Sequence, residues 1–404
     1  MLDRIQILLV DDEPRVLRGL HRQLVMSDEW EILAAESGPE ALAILADHPC
    51  DVLVTDIRMP GMDGEALLRE VRERYPQTIR LALSGQTDKE MALRAVGLAH
   101  QFLAKPCEPE TLKSTLTQAV ALRRVLNSPK LKQLVSKLKT LPSPPHLFNQ
   151  LIQEIQSPQA SVKKIGQIIA QDIGMTAKML QLVNSAFFGL RRHISDPTQA
   201  VMLLGLDTIK ALTLSVHIFS QFGSSQLGGV SLTQLQEHSL AVAMLAKRIA
   251  EVEQVPQQFI DHTFTAGLLH DVGQLILATN LPDEYNEVLN LVYTQNLDLL
   301  EAERQVFTAT HPEVGAYLLG IWGLPNPVVE ALAFHHNPLQ NLNKQFSPLT
   351  VVHIADVLTC EARPCLDWGL LPQIDTGYLT ELNCLQRLPL WRELSQKVLQ
   401  EEDK

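Results

Sequence analysis

The sequence predicts an α/β doubly wound, five-stranded parallel sheet followed by an all-α domain. Three observations carry that expectation. Five short apolar runs alternate with five helical patterns up to residue 126. An amphipathic segment bearing Lys130, Lys132, Lys137 and Lys139 on one face then intervenes. From residue 142 onward, apolar residues recur at spacings of three and four with no period-two run. The expected divisions are 1–126 (sheet domain), 127–141 (coupling helix), 142–368 (helical domain) and 369–404 (helical extension).

The apolar runs fall at 5–10, 31–35, 52–56, 78–84 and 101–104, with helical patterns at 14–25, 40–46, 64–74, 89–96 and 108–126. Pro14 suits a first helical turn, where a missing N–H loses no partner. Continuous runs of this kind belong to strands covered on both faces, and ligand chemistry in such sheets collects at the carboxyl ends of the strands. The residues there are Asp11 and Asp12, Asp56, Ser84 and Lys105-Pro106. Three carboxylates brought together repel one another, and Mg²⁺ held by carboxylates, a carbonyl and waters relieves that repulsion. A lysine and a hydroxyl beside them suit the oxygens of a phosphoryl group carried on one carboxylate.

The motifs Asp11-Asp12-Glu13-Pro14, Asp56-Ile57-Arg58-Met59-Pro60-Gly61-Met62-Asp63-Gly64, Ser84-Gly85 and Phe102-Leu103-Ala104-Lys105-Pro106 resemble, in type and order, the receiver domain of two-component response regulators. That family has a flavodoxin-like fold, and the resemblance covers residues 4–125. It implies that Asp56 is the phosphoacceptor and that Asp11, Asp12 and Asp56, with the Arg58 carbonyl, hold Mg²⁺. Ser84 and Lys105 would contact the phosphoryl group, and Phe102 would be the switching aromatic. The resemblance also implies a cognate sensor histidine kinase. A phosphorylation-sensitive surface over the 89–96 helix, the 101–104 strand and the 108–126 helix would offer a homodimer interface.

Ser128 and Pro129 restart the helical pattern, as cap and first residue. Leu131, Leu134, Val135, Leu138 and Leu141 form an apolar stripe that fits a packing helix with a coupling role, a plain linker being the alternative. Farther on, His270-Asp271 lies inside the apolar helical run 268–273, where leucines would normally pack. A carboxylate taken out of water requires a cation or a dense set of donors. His238 lies in the series Leu235, His238, Val242, Leu245, Ile249 and so points inward, and Asp356 follows Leu349 and Val352 on a buried stripe. His311 and His335-His336 complete seven candidate ligands: His238, His270, Asp271, His311, His335, His336 and Asp356. A lone inward histidine is ordinarily a satisfied core residue, a reading that weakens with each added member.

These residues, with Leu141-Pro142-x-x-Pro145, Ile168-Ile169-Ala170-Gln171-Asp172, Leu182-Val183-Asn184-Ser185-Ala186-Phe187-Phe188-Gly189 and Ala200-Val201-Met202-Leu203-Leu204-Gly205, resemble the HDOD domain over residues 141–358. HDOD is related to the HD phosphohydrolases and to cyclic-dinucleotide phosphodiesterases. The resemblance implies one or two transition metals, Fe, Mn or Zn. It also departs from the phosphodiesterases: Asn337-Pro338 follows the histidine pair in place of a glutamate, and no Gly-Tyr-Pro follows. HDOD domains act generally as signalling or interaction modules. The expected output is therefore a non-enzymatic module with an unidentified partner, and the alternative is a metal-dependent phosphodiesterase acting on a cyclic dinucleotide or nucleotide.

Composition bounds the remaining classes. The chain has 404 residues, 46% hydrophobic and 20% charged, as globular proteins do. No apolar run approaches the roughly 18 to 20 residues of a membrane helix, and the N-terminus lacks a signal peptide's apolar core, so the expectation is a cytoplasmic protein without membrane contact. Five scattered cysteines fit reduced thiols. The net charge of −12 hides a basic middle: residues 128–225 carry 10 Lys+Arg against 4 Asp+Glu, between acidic flanks. That segment docks on its acidic neighbours or, as a third reading of the output, binds nucleic acid through residues such as Lys163, Lys164, Arg191 and Arg192.

Overall fold

The computed structural model describes residues 5–24, 30–85, 98–107, 109–125, 128–137, 142–143, 145–157, 159–184, 194–206, 209, 220–221, 231–362 and 372–402. Strands β1 (Ile5–Val10), β2 (Trp30–Ala35), β3 (Val52–Asp56), β4 (Ile79–Ser84) and β5 (Gln101–Ala104) form one parallel sheet in the order β2-β1-β3-β4-β5. The pleat of β1 sends Ile7 and Leu9 to one face, where helices Pro14–Leu24 and Pro109–Val125 cover them with Leu17, Leu20, Leu112 and Leu116. Leu8 and Val10 go to the other face, against Ala41, Leu45, Leu67, Leu68 and Val71 of helices Gly38–Asp47 and Gly64–Arg74. β3 and β4 are buried along their whole length, which is why they read as uninterrupted apolar runs. The helix expected over 89–96 lies outside the described residues.

The remainder is a helical body. Its first helix, Pro129–Lys137, has Leu131 and Val135 buried in the same apolar cluster as one face of the sheet, so the segment between the two halves is a packed element. One two-residue parallel pairing, Pro142–Ser143 with Ser220–Gln221, departs from the all-helical expectation. Helices Leu232–Val252, Gln257–Leu269, Val272–Asn280, Pro282–Gln295, Leu299–Phe307, His311–Ile321, Asn326–Phe334 and Pro348–Ala362 follow in order. Tyr378, Leu379 and Trp391, from the last segment, close a second core with Val242, Ile249, Val351 and Ile354. Among the described residues no helix is long and apolar enough to cross a membrane, and Cys50, Cys107, Cys360 and Cys384 are free thiols.

The basic middle spends part of its charge internally. Lys130 pairs with Glu284 at 2.7 Å and Lys164 with Glu154 at 2.6 Å. Lys178 is only 2% exposed, its ammonium 5.0 Å from the centroid of the Trp322 ring. Of the four residues offered for nucleic-acid contact, Lys163 and Lys164 are exposed, and Arg191 and Arg192 lie outside the described residues.

Burial pushes the Lys178 amine down to about 7 from an ordinary 10.5. The unfolded chain therefore holds a proton that the folded chain releases between those values, and stability rises with pH across that window. Lys178→Met is expected to raise the melting temperature at pH 7 and to remove the part of the gain seen on moving to pH 9. Thermal unfolding at the two pH values measures this, and identical pH dependence in both proteins would refute it.

Candidate phosphoryl and metal sites

The carboxyl edge of the sheet gathers the expected polar residues. Asp56 and Ser84 are the last residues of β3 and β4, Asp11 directly follows β1, and Lys105 directly follows β5. Asp11, Asp56 and Ser84 are buried, and Asp12 is exposed. Lys105 Nζ donates to Asp11 Oδ2 at 2.5 Å and lies 2.8 Å from Asp56 Oδ2. Asp11, Asp12 and Asp56 each present an oxygen within 4.8 Å of the others, close enough for one ion. Burial raises the Asp56 carboxyl above its usual range against the pull of Lys105. The Arg58 amide donates to the same carboxyl. Phe102 is 6% exposed, packed with Ile57, Met59 and Ala82. Ser84 Oγ donates to the Gly85 carbonyl at 3.3 Å.

In the helical body all seven candidate ligands converge. His238 comes from helix Leu232–Val252, His311 opens helix His311–Ile321, His335-His336 follow helix Asn326–Phe334, and Asp356 lies on helix Pro348–Ala362. His270 and Asp271 do not sit inside one helix, as the apolar run suggests. His270 ends helix Gln257–Leu269, and Asp271, at φ −98° and ψ 12°, begins helix Val272–Asn280. Two residues past the break, Gly273 lies so close to the His311 carbonyl that a Cβ there would overlap it. The turn this contact accompanies aims the Asp271 carboxylate into the cluster.

Asp271 divides the cluster in two. Its Oδ2 faces His270 Nε2 at 3.2 Å and His238 Nε2 at 3.8 Å, and Asp356 Oδ1 completes that side at 3.1 Å from His238 Nε2. Its Oδ1 faces His311 Nε2 at 3.3 Å and His335 Nε2 at 3.8 Å, with His336 Nε2 3.2 Å from His311 Nε2. Ligands about 2.1 Å from one transition metal stand roughly 3.0 to 3.5 Å apart, so both sides have the right spacing.

The hydrogen bonding points the same way. His270 Nδ1 lies 2.7 Å from the Gly267 carbonyl and His335 Nδ1 2.8 Å from the Leu332 carbonyl, contacts that a protonated Nδ1 makes. Each Nε2 is then a lone pair aimed inward. Among the described residues His270 Nε2, His335 Nε2 and Asp271 Oδ1 are buried polar atoms with no hydrogen-bond partner. Orphaned acceptors on both sides of Asp271, His270 Nε2 on one and His335 Nε2 with Asp271 Oδ1 on the other, fit cations. Burial opposes charge on Asp271, but His270 and His311 outweigh it and hold the carboxylate well below its usual range. Burial and the neighbouring imidazoles push His335 and His336 well below theirs, leaving them neutral as ligands must be.

Family models match two parts of the chain: "response regulator receiver domain" at residues 7–117 and "HDOD domain" at residues 141–338. The chain is a response regulator with a receiver and an HDOD domain. It is 36% identical over 157 residues to the hydrogenase transcriptional regulatory protein HoxA of Cupriavidus necator, an overlap covering 38% of this chain and 31% of that one. It is 26% identical over 216 residues to an uncharacterized protein of Treponema pallidum, covering 54% of this chain and 41% of the other. The response regulator thus spans less than half the length of these two relatives. Among solved structures, the MmoQ response regulator of Methylococcus capsulatus aligns at 24% identity with a TM-score of 0.47, covering 62% of this chain and 97% of that one. Receiver domains generally bind Mg²⁺ and have a cognate kinase, and HD-type domains often bind metals.

Four residues of the HDOD domain were not singled out by sequence. Glu303 is fully buried and accepts from the His311 backbone N–H at 2.8 Å and from His311 Nδ1 at 2.9 Å. Burial opposes protonation of His311, but Glu303 and Asp271 raise it to about 10, so an ion bound at His311 Nε2 would displace a proton. The signal was present: Glu303 lies on the stripe Leu299, Ala302, Val306, Phe307, a charge where an apolar residue belongs. Cys360 is one turn beyond Asp356, its Sγ 3.8 Å from Asp356 Oδ1. His353 Nδ1 faces the His335 carbonyl at 2.6 Å, and Gln274 Nε2 lies 3.4 Å from His311 Nε2. The Ser185–Gly189 part of the HDOD resemblance lies outside the described residues.

A carboxylate behind a ligating histidine fixes its tautomer and orientation, and losing such a partner typically costs about 10- to 100-fold in metal affinity. Glu303→Gln, which keeps the shape and removes the charge, is expected to weaken Mn²⁺ or Zn²⁺ binding by that factor with the helical circular dichroism unchanged. Unaltered affinity in a folded variant would remove Glu303 from the site.

Proposed function

We propose that this response regulator is phosphorylated on Asp56 and that the receiver thereby controls a metal-centred HDOD module that signals by interaction. The observation that carries the first half is the contact of Lys105 with both Asp11 and Asp56 beside the exposed Asp12. Asp11, Asp12 and Asp56, with the Arg58 carbonyl, would hold Mg²⁺, which would supply charge neutralisation for phosphoryl transfer. A free Asp56 oxygen attacks phosphorus of the kinase's phosphohistidine or of a small phosphodonor, and the P–N or P–O bond to the donor breaks. Lys105 then exchanges its contact with the Asp56 carboxylate for a phosphoryl oxygen. Ser84 turns its hydroxyl from the Gly85 carbonyl toward another.

For the HDOD half, His238, His270, Asp271 and Asp356 would hold one ion and Asp271, His311, His335 and His336 a second. A bound transition metal would supply Lewis acidity and a lowered pKa for bound water. Burial supports an interaction module over hydrolysis: of the seven ligands only His336 exceeds about one-twentieth exposure, at 22% of its side chain. A phosphodiester would have to displace the ligands' own surroundings to reach the ions. The alternative, a metal-dependent phosphodiesterase for a cyclic dinucleotide or nucleotide, is favoured by the division of the cluster into two sides by Asp271. Homodimerisation, cytoplasmic location and the domain limits 1–126, 127–141, 142–368 and 369–404 belong to the same reading. Nucleic-acid binding is the weakest reading, because Lys130, Lys164 and Lys178 are engaged within the chain.

A small phosphodonor with Mg²⁺ is expected to label the wild-type chain and leave Asp56→Ala unlabelled, and equal labelling would refute the phosphoacceptor. Metal analysis of the purified chain is expected to find about one or two Fe, Mn or Zn ions per molecule, lost in His270→Ala. Only traces, equal in both proteins, would end the metal reading. Cyclic dinucleotide should survive incubation with the loaded chain; hydrolysis that disappears in His270→Ala would establish the alternative.

A further inference from the structure

We infer that helix His311–Ile321 links the receiver to the HDOD metal cluster, so that the state of Asp56 and the occupancy of the cluster shift one another. This rests on the metal reading above and assigns its regulation.

The helix has a different duty at each end. At its N-terminus His311 presents Nε2 to Asp271 Oδ1 at 3.3 Å, while Glu303 grips its backbone N–H and Nδ1. Gly273 lies against the His311 carbonyl, and Gly315 brings Gly273 N within 3.2 Å of where a Cβ would stand. At its C-terminus the receiver adds a side chain to the last carbonyls: Gln101 Nε2 donates to Ile321 O at 3.1 Å and to Gly320 O, which also accepts from the Gly323 N–H, at 3.4 Å. Gly323, at φ +77°, makes room for that side chain, since a Cβ there would stand 3.0 Å from Gln101 Cδ. Lys178 Nζ lies at this same end, 5.0 Å from the centroid of the Trp322 ring. Along its length the helix packs on receiver helix Pro109–Val125 and on helix Pro129–Lys137.

Gln101 is the first residue of β5, and Lys105, which holds Asp11 and Asp56, directly follows its last. A rigid strand of four residues therefore joins the phosphoryl site to the grip on the helix. A rigid helix of eleven residues joins that grip to a metal ligand. Moving Lys105 from a carboxylate to a phosphoryl oxygen displaces one end of β5. A strand that responds by shifting along its axis carries Gln101 with it, and the helix then turns or slides His311 against Asp271. Ligand spacings of about 3 Å tolerate little such movement before affinity changes. Linkage is reciprocal, so metal must change the receiver's affinity for a phosphoryl mimic by the same factor.

The test is Mn²⁺ titration of the full chain with and without beryllofluoride, at one fixed Mg²⁺ concentration. Hydrogen exchange of the 311–321 amides serves as a metal-free readout. The wild-type Kd for Mn²⁺ is expected to change about fivefold or more, within the usual range of coupling between sites. The shift should vanish in Gln101→Ala and in Gly323→Ala. It should persist in Gln181→Ala, which removes a separate hydrogen bond to the receiver, Gln181 Nε2 to His100 O at 3.3 Å. Mn²⁺ binding with an unchanged Kd and unchanged exchange would overturn the linkage and leave the metal centre standing. A shift that survives in Gln101→Ala and Gly323→Ala would overturn this route. Failure to bind Mn²⁺ under any condition would overturn the metal reading, and this inference with it.

Discussion

The Asp271 carboxylate is the constraint around which the helical domain is arranged. It is 3% exposed, and an isolated carboxylate at that depth costs several kcal/mol. The fold answers with imidazoles on both sides, His238 and His270 toward one oxygen and His311 and His335 toward the other. Those side chains come from four separate helix regions, so satisfying one carboxylate fixes the relative positions of most of the domain. Beside that carboxylate the chain breaks between two helices, and Gly273 lets the second approach the His311 carbonyl closely.

The receiver meets a related demand in the opposite way. Asp11 and Asp56 are buried and share one ammonium, yet Asp12 beside them is exposed. An open acidic edge suits an ion and a phosphoryl group that come and go. The sealed cluster of the HDOD domain, its ligands packed between helices, suits an ion that stays. The two acidic clusters thus differ in exposure, the receiver's opening to solvent at Asp12 and the other enclosed between helices.

Legibility from sequence followed locality. The five strands and Asp11, Asp56, Ser84 and Lys105 at their ends were readable because a parallel strand buried on both faces leaves an unbroken apolar run with its polar residues at the end. His238 and Asp356 were readable because each interrupts an apolar stripe at helical spacing. The break at His270-Asp271 was not, because the run 268–273 is otherwise apolar at helical spacing and the close approach beside it pairs Gly273 with the His311 backbone, 38 residues apart in the chain. Glu303 could have been found by the rule that found His238. The basic middle was ambiguous in sequence because only the folded chain shows Lys130 against Glu284 and Lys178 beneath Trp322.

The boundary between the two domains is where their chemistry must meet, and its packing limits how. One apolar cluster runs without interruption from Ile7, Val54 and Leu83 of the sheet, through Leu112 and Leu116, to Leu131, Val135, Leu269, Val314 and Leu318 of the helical body. Pulling the domains apart would return that surface to water at roughly 25 cal/mol per Å². Separation is therefore a costly way to transmit any local change at the carboxyl edge of the sheet. A small displacement within a maintained interface is cheaper, because close-packed helices hold discrete alternative positions better than intermediate ones. The polar contacts embedded in that apolar boundary, Gln101 on the Ile321 carbonyl and Gln181 on the His100 carbonyl, fix its register and let it distinguish one position from the next.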